Sequence, residues 1–550
     1  MKKIKNIVLI FSAIMPIVIW AQPNKQGVPD QQQDVIKNFD AKLLDAEKVV
    51  VNPILPPVDT STKAQTYGMP NKVLGVEYQP PRMRPVQLPQ AKLPPQYNGY
   101  AKLGYGFPNS PYAEAAYRFG DPTTYLVGAK VKHHSANNDK VLENQRFSKT
   151  EVEGNGTFYA QAGLAVDAKL GYTTDSRQFY GYDHVKYPAG VITEQDSKQF
   201  FNTFAASAKA YNSVRTVADF NYALGLDFSN MNDNYANGET DFGIKLEGTK
   251  WFAEKHPLTL VIKADFTTLS PKGDKTQDLN NIYLQPSFTF KGDVYSIKLG
   301  GNFISNKDVF YPKPDIEATV NLAGSQFAIF GGWKGDFTKN SYRNLTTYNP
   351  FLSPDSVVIK NTDRTEYYGG IKGSIALFDY SAQVGWSNNK NLALFLADTT
   401  EKYRRFKVIY DSVDIFNIRG AITLHATKEL EIVGTVSQNI YTAKQQIAAW
   451  GLPSLDVNVS AKYAAFSKGD QTAVVKAALF VQNGVPYKIS KTEFGRLDGL
   501  FDINIGGEYW FSKNIGAFLD VNNLLNLKRQ RWQNYPSFGL NLLGGITARF

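Results

Sequence analysis

The chain has 550 residues, contains no cysteine, and carries a formal net charge of +10 at pH 7. Without cysteine it can form neither disulfide bonds nor thiolate metal sites. Hydrophobic residues make up 43% of the sequence and the mean hydropathy is −0.32. This is too polar for a helical membrane protein, but it suits a membrane β-barrel, in which only alternate residues meet lipid.

The first 21 residues predict an export signal. Met1–Lys5 is a basic segment, Ile7–Trp20 is an apolar run, and Ala21 supplies a small residue at a plausible cleavage point. The apolar run is shorter than the roughly 18 residues that a membrane-spanning helix needs. We therefore expect residues 1–21 to be removed and the mature chain to begin at Gln22.

Residues 22–97 differ in composition from the rest of the chain. Clusters of proline, such as Pro53-Ile-Leu-Pro-Pro57, favour extended, polyproline-like chain without a core. Residues 33–50 could form one short amphipathic helix, which would need a partner to order it. We expect a proline-rich periplasmic extension, in which three valines could pair as an added strand with a periplasmic partner: Val49, Val50 and Val51.

From residue 98 onward the apolar residues recur with a period of two. Asp241–Thr249, Leu260–Phe266 and Phe501–Phe511 each place apolar side chains on one face and charged or amide side chains on the other. This pattern is typical of half-buried strands. We predict an all-β fold in which residues 98–550 form a large antiparallel transmembrane barrel. Four tryptophans near strand ends are expected in its interfacial girdles: Trp251, Trp333, Trp386 and Trp510.

The connections between these strands supply a test of topology. Short turns such as Lys291-Gly-Asp293 and Ser512-Lys-Asn514 alternate with longer links, as expected for periplasmic turns and extracellular loops. Counting strands between the links gives about 22, an even number that places both chain ends in the periplasm. The long links are expected at about 136–148, 175–197, 230–237, 270–280, 306–313, 335–365, 389–404, 443–453, 483–498 and 523–537.

The C-terminal segment Phe538–Phe550 alternates with the same period. One face carries Leu542, Ile546 and Phe550, and the opposite face is more polar. A last strand of a soluble sandwich could show this pattern too. The terminal phenylalanine resembles the C-terminal signal by which Gram-negative outer-membrane barrels are recognised for insertion. We therefore expect these three residues to form an insertion signal that is read by the barrel-assembly machinery.

The end of the chain resembles one family in particular. Asp520-Val-Asn-Asn-Leu-Leu-Asn526, the segment Arg531–Pro536 and the final strand are similar to the end of TonB-dependent receptor barrels. The resemblance implies an outer-membrane receptor that takes up a nutrient or another ligand. Members of that family carry a globular N-terminal plug of well over a hundred residues. Here only residues 22–97 precede the barrel, so the chain resembles a plug-less member.

A 22-stranded lumen without a plug would leak, so another element must fill it. The candidates are the 335–365 loop, residues 22–97, or a second protein. If the barrel does not transport, it could instead be a subunit of an outer-membrane assembly or secretion complex, with the N-terminal extension binding periplasmic partners.

The search for catalytic chemistry is largely negative. His133 and His134 are adjacent, so in a strand their side chains point to opposite faces and cannot easily ligate one metal. No nucleophile elbow, zinc-protease motif or phosphate-binding glycine loop is present. We expect no enzyme, no cofactor and no nucleic-acid partner. The outer membrane and lipopolysaccharide are the expected partners, and basic pairs in the loops could meet lipopolysaccharide phosphates: Arg404-Arg405 and Lys528-Arg529-x-Arg531.

Overall fold

The computed structural model describes residues 97–160, 163–355 and 357–550. The predicted signal peptide (1–21), the periplasmic extension (22–97) except its last residue, and the valines Val49, Val50 and Val51 lie outside the described residues. Their predicted roles therefore stay predictions.

The described chain is built almost entirely of strands, as the period of two predicts. In chain order the strands are β1 Gly99–Phe107, β2 Ser110–Asp121, β3 Tyr125–Asn137, β4 Arg146–Tyr159, β5 Leu164–Gln178, β6 Lys198–Asn212, β7 Phe220–Asp233, β8 Gly238–Phe252, β9 His256–Ser270, β10 Gln277–Lys291, β11 Tyr295–Asn306, β12 Val309–Asn321, β13 Ala328–Asn340, β14 Lys360–Ile375, β15 Phe378–Ala397, β16 Phe406–His425, β17 Leu430–Ala443, β18 Leu455–Lys468, β19 Gln471–Gln482, β20 Pro486–Lys488, β21 Phe494–Arg496, β22 Leu500–Trp510, β23 Ile515–Asn522, β24 Gln530–Trp532, β25 Tyr535–Pro536 and β26 Asn541–Arg549.

Twenty-two of these strands form one antiparallel sheet, and the sheet closes on itself. The closing pair joins β1 to β26, with a register that runs from Tyr100 opposite Arg549 to Phe107 opposite Leu542. The backbone N–H groups of Asn98 and Gly99 both donate to the carbonyl oxygen of Phe550, each at 2.8 Å. The predicted all-β barrel of 22 strands is confirmed. The strands β20 and β21, and β24 and β25, form two small hairpins within connections.

Each strand separates an apolar outer face from a more polar inner face. In β26 the outward side chains Leu542 and Ile546 are 39% and 63% exposed, whereas the inward Leu543 and Thr547 are 6% and 4% exposed. Exposed apolar side chains recur at alternate positions, as in Leu258, Leu260 and Ile262 of β9, and make the outer surface of the barrel suited to lipid. The fold is that of a transmembrane barrel of the outer-membrane type.

Two of the four predicted girdle tryptophans lie on the outer face. Trp333 and Trp386 are 40% and 43% exposed and stack on either side of Tyr367. The prediction is wrong for Trp510, which is buried, donates through Nε1 to Glu508 and lies 4.0 Å from the guanidinium of Arg549.

Trp251 also belongs to the inner face, because the next residue, Phe252, takes the outward position. The guanidinium of Arg215 and the ammonium of Lys291 approach its ring. Trp251 and Trp510 are each followed directly by a phenylalanine. The alternation of apolar residues therefore could not show which of the two aromatic side chains faces outward.

The connections alternate between the two ends of the barrel. All ten long links fall at one end, which by the length rule for such barrels is extracellular. The link at 307–308 is only two residues long, because β11 and β12 extend further than the sequence indicates. The sequence also gave no sign of the tight turn at 108–109, which belongs to the same end. Two short helices lie in these links, α1 Glu194–Ser197 and α2 Tyr342–Tyr348. None of the described helices is long and apolar enough to cross a membrane.

We predict that Phe550→Ala lowers the amount of assembled barrel in the outer membrane. Phe550 lies outward at the closing seam, 58% exposed, with its ring 6.0 Å from that of Tyr117. The measurement is the fraction of protein in outer-membrane fractions that shows heat-modifiable gel mobility. Phe511→Ala is the matched control, because Phe511 is also outward and 54% exposed but lies away from the C-terminus. Equal loss in both variants would contradict a specific insertion role.

Candidate functional site

The hairpin of β13 and β14 leaves the barrel wall at the extracellular end. The ladder between β12 and β13 stops at Asp315 opposite Lys334, whereas the ladder between β13 and β14 continues to Asn340 opposite Lys360. The upper part of the hairpin therefore has no ladder with β12, although side chains still meet there: the ring of Tyr311 lies 4.9 Å from that of Phe337. We call residues 335–365, which include α2, the inward hairpin.

The inward hairpin contacts strands that are far from it around the wall. Lys339 Nζ lies 2.8 Å from Asp241 Oδ1 of β8, and Asn361 Nδ2 donates to Asn281 Oδ1 of β10 at 2.6 Å. The strands β8 and β13 are five positions apart in the sheet, which at the usual strand spacing is about 24 Å of wall. Direct contact therefore requires that the hairpin bend into the mouth of the barrel.

The start of α2 is fixed to the wall by acidic side chains. The Tyr342 hydroxyl donates to Asp233 Oδ2 at 2.6 Å, and the backbone N–H groups of Tyr342 and Arg343 donate to Glu239. A carboxylate at a helix N-terminus is favourable because the first N–H groups have no partner within the helix. Burial, with the nearby carboxylate of Asp233, raises the pKa of Tyr342 well above its usual value. Its phenol thus stays a hydrogen-bond donor.

A second hairpin, formed by β15 and β16, extends beside the first. The ladder between them shifts register between Asn389 and Leu392, and Asn391 has a left-handed backbone with φ of 55°. Beyond this bulge the hairpin meets the inward hairpin through a parallel bridge between Leu352 and Phe406. The two hairpins are thus joined by backbone as well as side-chain contacts.

Aromatic side chains pack the extracellular links together. The ring of Phe351 stacks on that of Tyr535 at 3.8 Å, and the ring of Trp532 lies 5.3 Å from Phe406 and 5.4 Å from Phe395. Tyr535 and Trp532 are fully buried, and burial raises the pKa of Tyr535 well above its usual value. We call this assembly the cap; it comprises the inward hairpin, the upper part of β15–β16, and the links 179–197, 398–405, 444–454 and 523–540.

Arginines tie the cap across the mouth. Arg404 Nη2 lies 3.3 Å from Asp183 Oδ2, and these residues belong to links ten strands apart in the wall of 22. Hydrogen bonds from the backbone N–H groups of Lys186 and Val185 lower the pKa of Asp183, so its carboxylate is charged at neutral pH. Links from nearly opposite sides of the barrel therefore meet over the lumen.

The four arginines among the basic residues assigned to lipopolysaccharide have partners within the extracellular links. Arg405 pairs with Glu401 at 2.7 Å, and Arg529 pairs with Asp498 at 2.7 Å. Arg531 is buried, stacks 4.3 Å from the ring of Trp532 and donates to the carbonyl oxygen of Gly451. Their positive charges therefore serve loop packing.

The asparagines of the family-like motif serve as turn residues. Asn523 and Asn526 have positive φ, at 51° and 52°, which asparagine tolerates better than most residues. Asn523 Oδ1 accepts from the N–H of Leu527, and Asn526 Oδ1 accepts from the N–H of Leu540. The motif thus shapes the base of the 523–540 link, which carries Trp532 and Tyr535 into the cap.

Two sets of residues singled out in the sequence lie in the described part of the chain. Leu542, Ile546 and Phe550 lie together on the outer face of the closing strand, as predicted, although their role in insertion stays a prediction. The two adjacent histidines do separate: His133 bonds to Thr150 and His134 to Ser110. Among residues 97–160, 163–355 and 357–550, no group of three or more His, Asp or Glu side chains is placed to hold a metal ion.

Comparison with known proteins places the fold among outer-membrane receptors. The siderophore receptor PirA from Acinetobacter baumannii matches with a TM-score of 0.63 and 10% identity, over 84% of this chain and 81% of that one. The ferric enterobactin receptor of Pseudomonas aeruginosa gives 0.60 and 11%, over 83% and 81%. The pyoverdine outer membrane receptor FpvA of Pseudomonas aeruginosa PAO1 gives 0.59 and 12%, over 84% and 79%.

At these identities the likeness is one of fold. No protein-family model matches the sequence, and no curated protein sequence matches it significantly.

We predict that Trp532→Ala loosens the cap but leaves the barrel intact. Removing a buried tryptophan commonly destabilises its surroundings by about 3–5 kcal/mol, and Trp532 packs against the rings of Tyr348, Phe395 and Phe406 in the cap. Limited proteolysis should then cut within 398–405 or 444–454, while heat-modifiable gel mobility is retained. Trp386→Ala, on the outer face, is the control. An unchanged cleavage pattern for Trp532→Ala would show that the cap does not depend on this residue.

Proposed function

We propose that this protein is an outer-membrane receptor barrel that binds a ligand at its cap and takes it up through the lumen. The observation that carries the proposal is the inward hairpin, which bends into the mouth and is held to β7, β8 and β10 by hydrogen bonds and an ion pair. Such contacts can be exchanged for contacts with a ligand. The likeness of the fold to receptors of iron-carrying ligands supports the same function.

The inward hairpin also supports a plug-less mode of closure. Barrels of this size leave a wide lumen that plugged transporters fill with a separate domain. We propose that the inward hairpin fills the lumen here, so that the element that closes the barrel is formed by two of its own strands. It is the first of the three fillers that the sequence suggests.

The remaining partners are proposals as well. The barrel-assembly machinery would read Leu542, Ile546 and Phe550, and lipopolysaccharide would surround the outer face of the barrel. Residues 22–97, through Val49, Val50 and Val51, would contact a periplasmic protein. The neighbours in fold are receptors, which supports a function without catalysis. Co-purification of assembly or secretion subunits that is lost on deletion of residues 22–97 would instead favour the alternative of a machine subunit.

We predict that replacing residues 341–359 with a short turn opens the barrel to ions. The wild-type protein should show little conductance in planar bilayers, because the cap spans the mouth, and the variant should conduct severalfold more. Deleting residues 22–97 should leave the conductance low.

Two outcomes would contradict this proposal. Wild-type protein that already conducts freely would show that the cap does not close the lumen. Conductance that appears only on deletion of residues 22–97 would identify the extension as the closing element. Shortening the exposed tip 489–493 of another extracellular link is the matched control, and it should leave the conductance unchanged.

A further inference from the structure

A cavity of about 210 Å³ lies between the inward hairpin and the rim formed by the 234–237 and 271–276 links with the adjoining ends of β9 and β10. Four residues of the inward hairpin line it: Pro354, Asp355, Val357 and Val358. This stretch is held by the side chain of Asn237, which donates to the carbonyl oxygen of Pro354, and by Gln277, which bonds to the backbone of Val357 and Ile359. The cavity is thus bounded by the contacts that hold the closing element in place.

The chemistry of the cavity suits an amphipathic cation. Its lining is mixed: Leu269, Val357 and Val358 are apolar, Asn237 and Gln277 are polar, and the charged side chains are Asp274 and Asp355. No basic side chain is part of the lining, although Lys272 and Lys275 lie in the same link as Asp274. Two carboxylates beside apolar walls favour an ammonium or guanidinium group that carries a small apolar body.

The protein already holds one of its own cations at this place. Arg405 Nη2 lies 3.3 Å from Asp355 Oδ2, at the edge of the cavity. Its guanidinium also lies over three aromatic rings, those of Phe179, Tyr235 and Tyr403, at 5.3, 5.9 and 5.5 Å. Aromatic faces attract cations. The three aromatic residues, together with Asp355 and Glu401, therefore form a cation site that the chain's own Arg405 occupies.

The bond between Arg405 and Asp355 is the weakest part of this arrangement. Arg405 keeps shorter contacts with Glu401, because its Nη2 and Nε both donate to Oε1 of that residue, at 2.7 and 3.0 Å. The side chain of Asp355 is 72% exposed, whereas that of Arg405 is 10% exposed. Asp355 can therefore change partner while Arg405 stays in its aromatic surroundings.

We propose that the cavity binds the cationic end of an amphipathic ligand, whose ammonium or guanidinium group joins Asp274 and replaces Arg405 on Asp355. The proposal rests on the proposed receptor function and names the class of ligand for it. Binding would separate the 398–405 link from the inward hairpin at one of their contacts. The carboxylate of Asp355 would then take part both in binding the ligand and in releasing the inward hairpin.

Binding of benzamidinium to the purified full-length protein, measured by calorimetry, tests the proposal. Benzamide, which has nearly the same shape and no charge, is the matched ligand control. Benzamidinium should bind and benzamide should not. Asp355→Asn and Asp274→Asn should each weaken binding about tenfold, which is the usual effect of losing one charge-assisted hydrogen bond. Asp470→Asn is the control variant, because Asp470 pairs with Lys513 in the short turns at the other end of the barrel.

The variants Asp355→Asn and Asp274→Asn together distinguish loss of the cation site from loosening of the cap. Asp274 lies in the exposed 271–276 link and makes no contact with Arg405 among the described contacts, so its effect cannot come from a loosened cap. Equal binding of benzamide, no detectable binding of benzamidinium, or binding unchanged by both variants would overturn the proposal. Binding is measured without conductance, so a failed cation site and a failed closing hairpin are distinguished.

Discussion

The structure depends on one constraint, which is that a chain crossing lipid must satisfy its backbone hydrogen bonds within itself. A sheet meets this condition only when its first and last strands pair. The register from Tyr100 to Phe107 against Leu542 to Arg549 achieves this. The seam is tight: a Cβ atom added to Gly545 would lie 2.0 Å from the carbonyl oxygen of Leu103. Every other element, including the cap, is built on a closed wall.

The features that the sequence predicts well are those with a simple period. Alternation of apolar and polar side chains shows the strands and their outward faces, because lipid and water impose opposite demands on neighbouring residues. The positions of the long links follow from the same reading, as does the count of 22 strands. Leu542 and Ile546 are outward as predicted, since one unambiguous pattern runs to the C-terminus.

The features that the sequence could not predict depend on contacts between distant residues. The period of two continues through β13 and β14 whether the hairpin stays in the wall or bends inward. The bend depends on contacts such as the hydrogen bond between Tyr342 and Asp233, which are 109 residues apart in sequence. The basic residues of the loops suggested a lipid partner, but Arg404 and Arg531 find partners within the cap. Only the fold brings those partners together.

The departure of β13 from the wall has a consequence for β12. Its upper part, Val309–Pro314, keeps its ladder with β11 but forms no ladder with β13. An unpaired strand edge invites pairing with another chain and hence aggregation. This part of β12 carries Pro312 and Pro314, and proline has no N–H group to offer to a further strand. The inward bend leaves the upper edge of β12 without a partner strand. The two prolines then keep that edge from pairing with a strand of another chain.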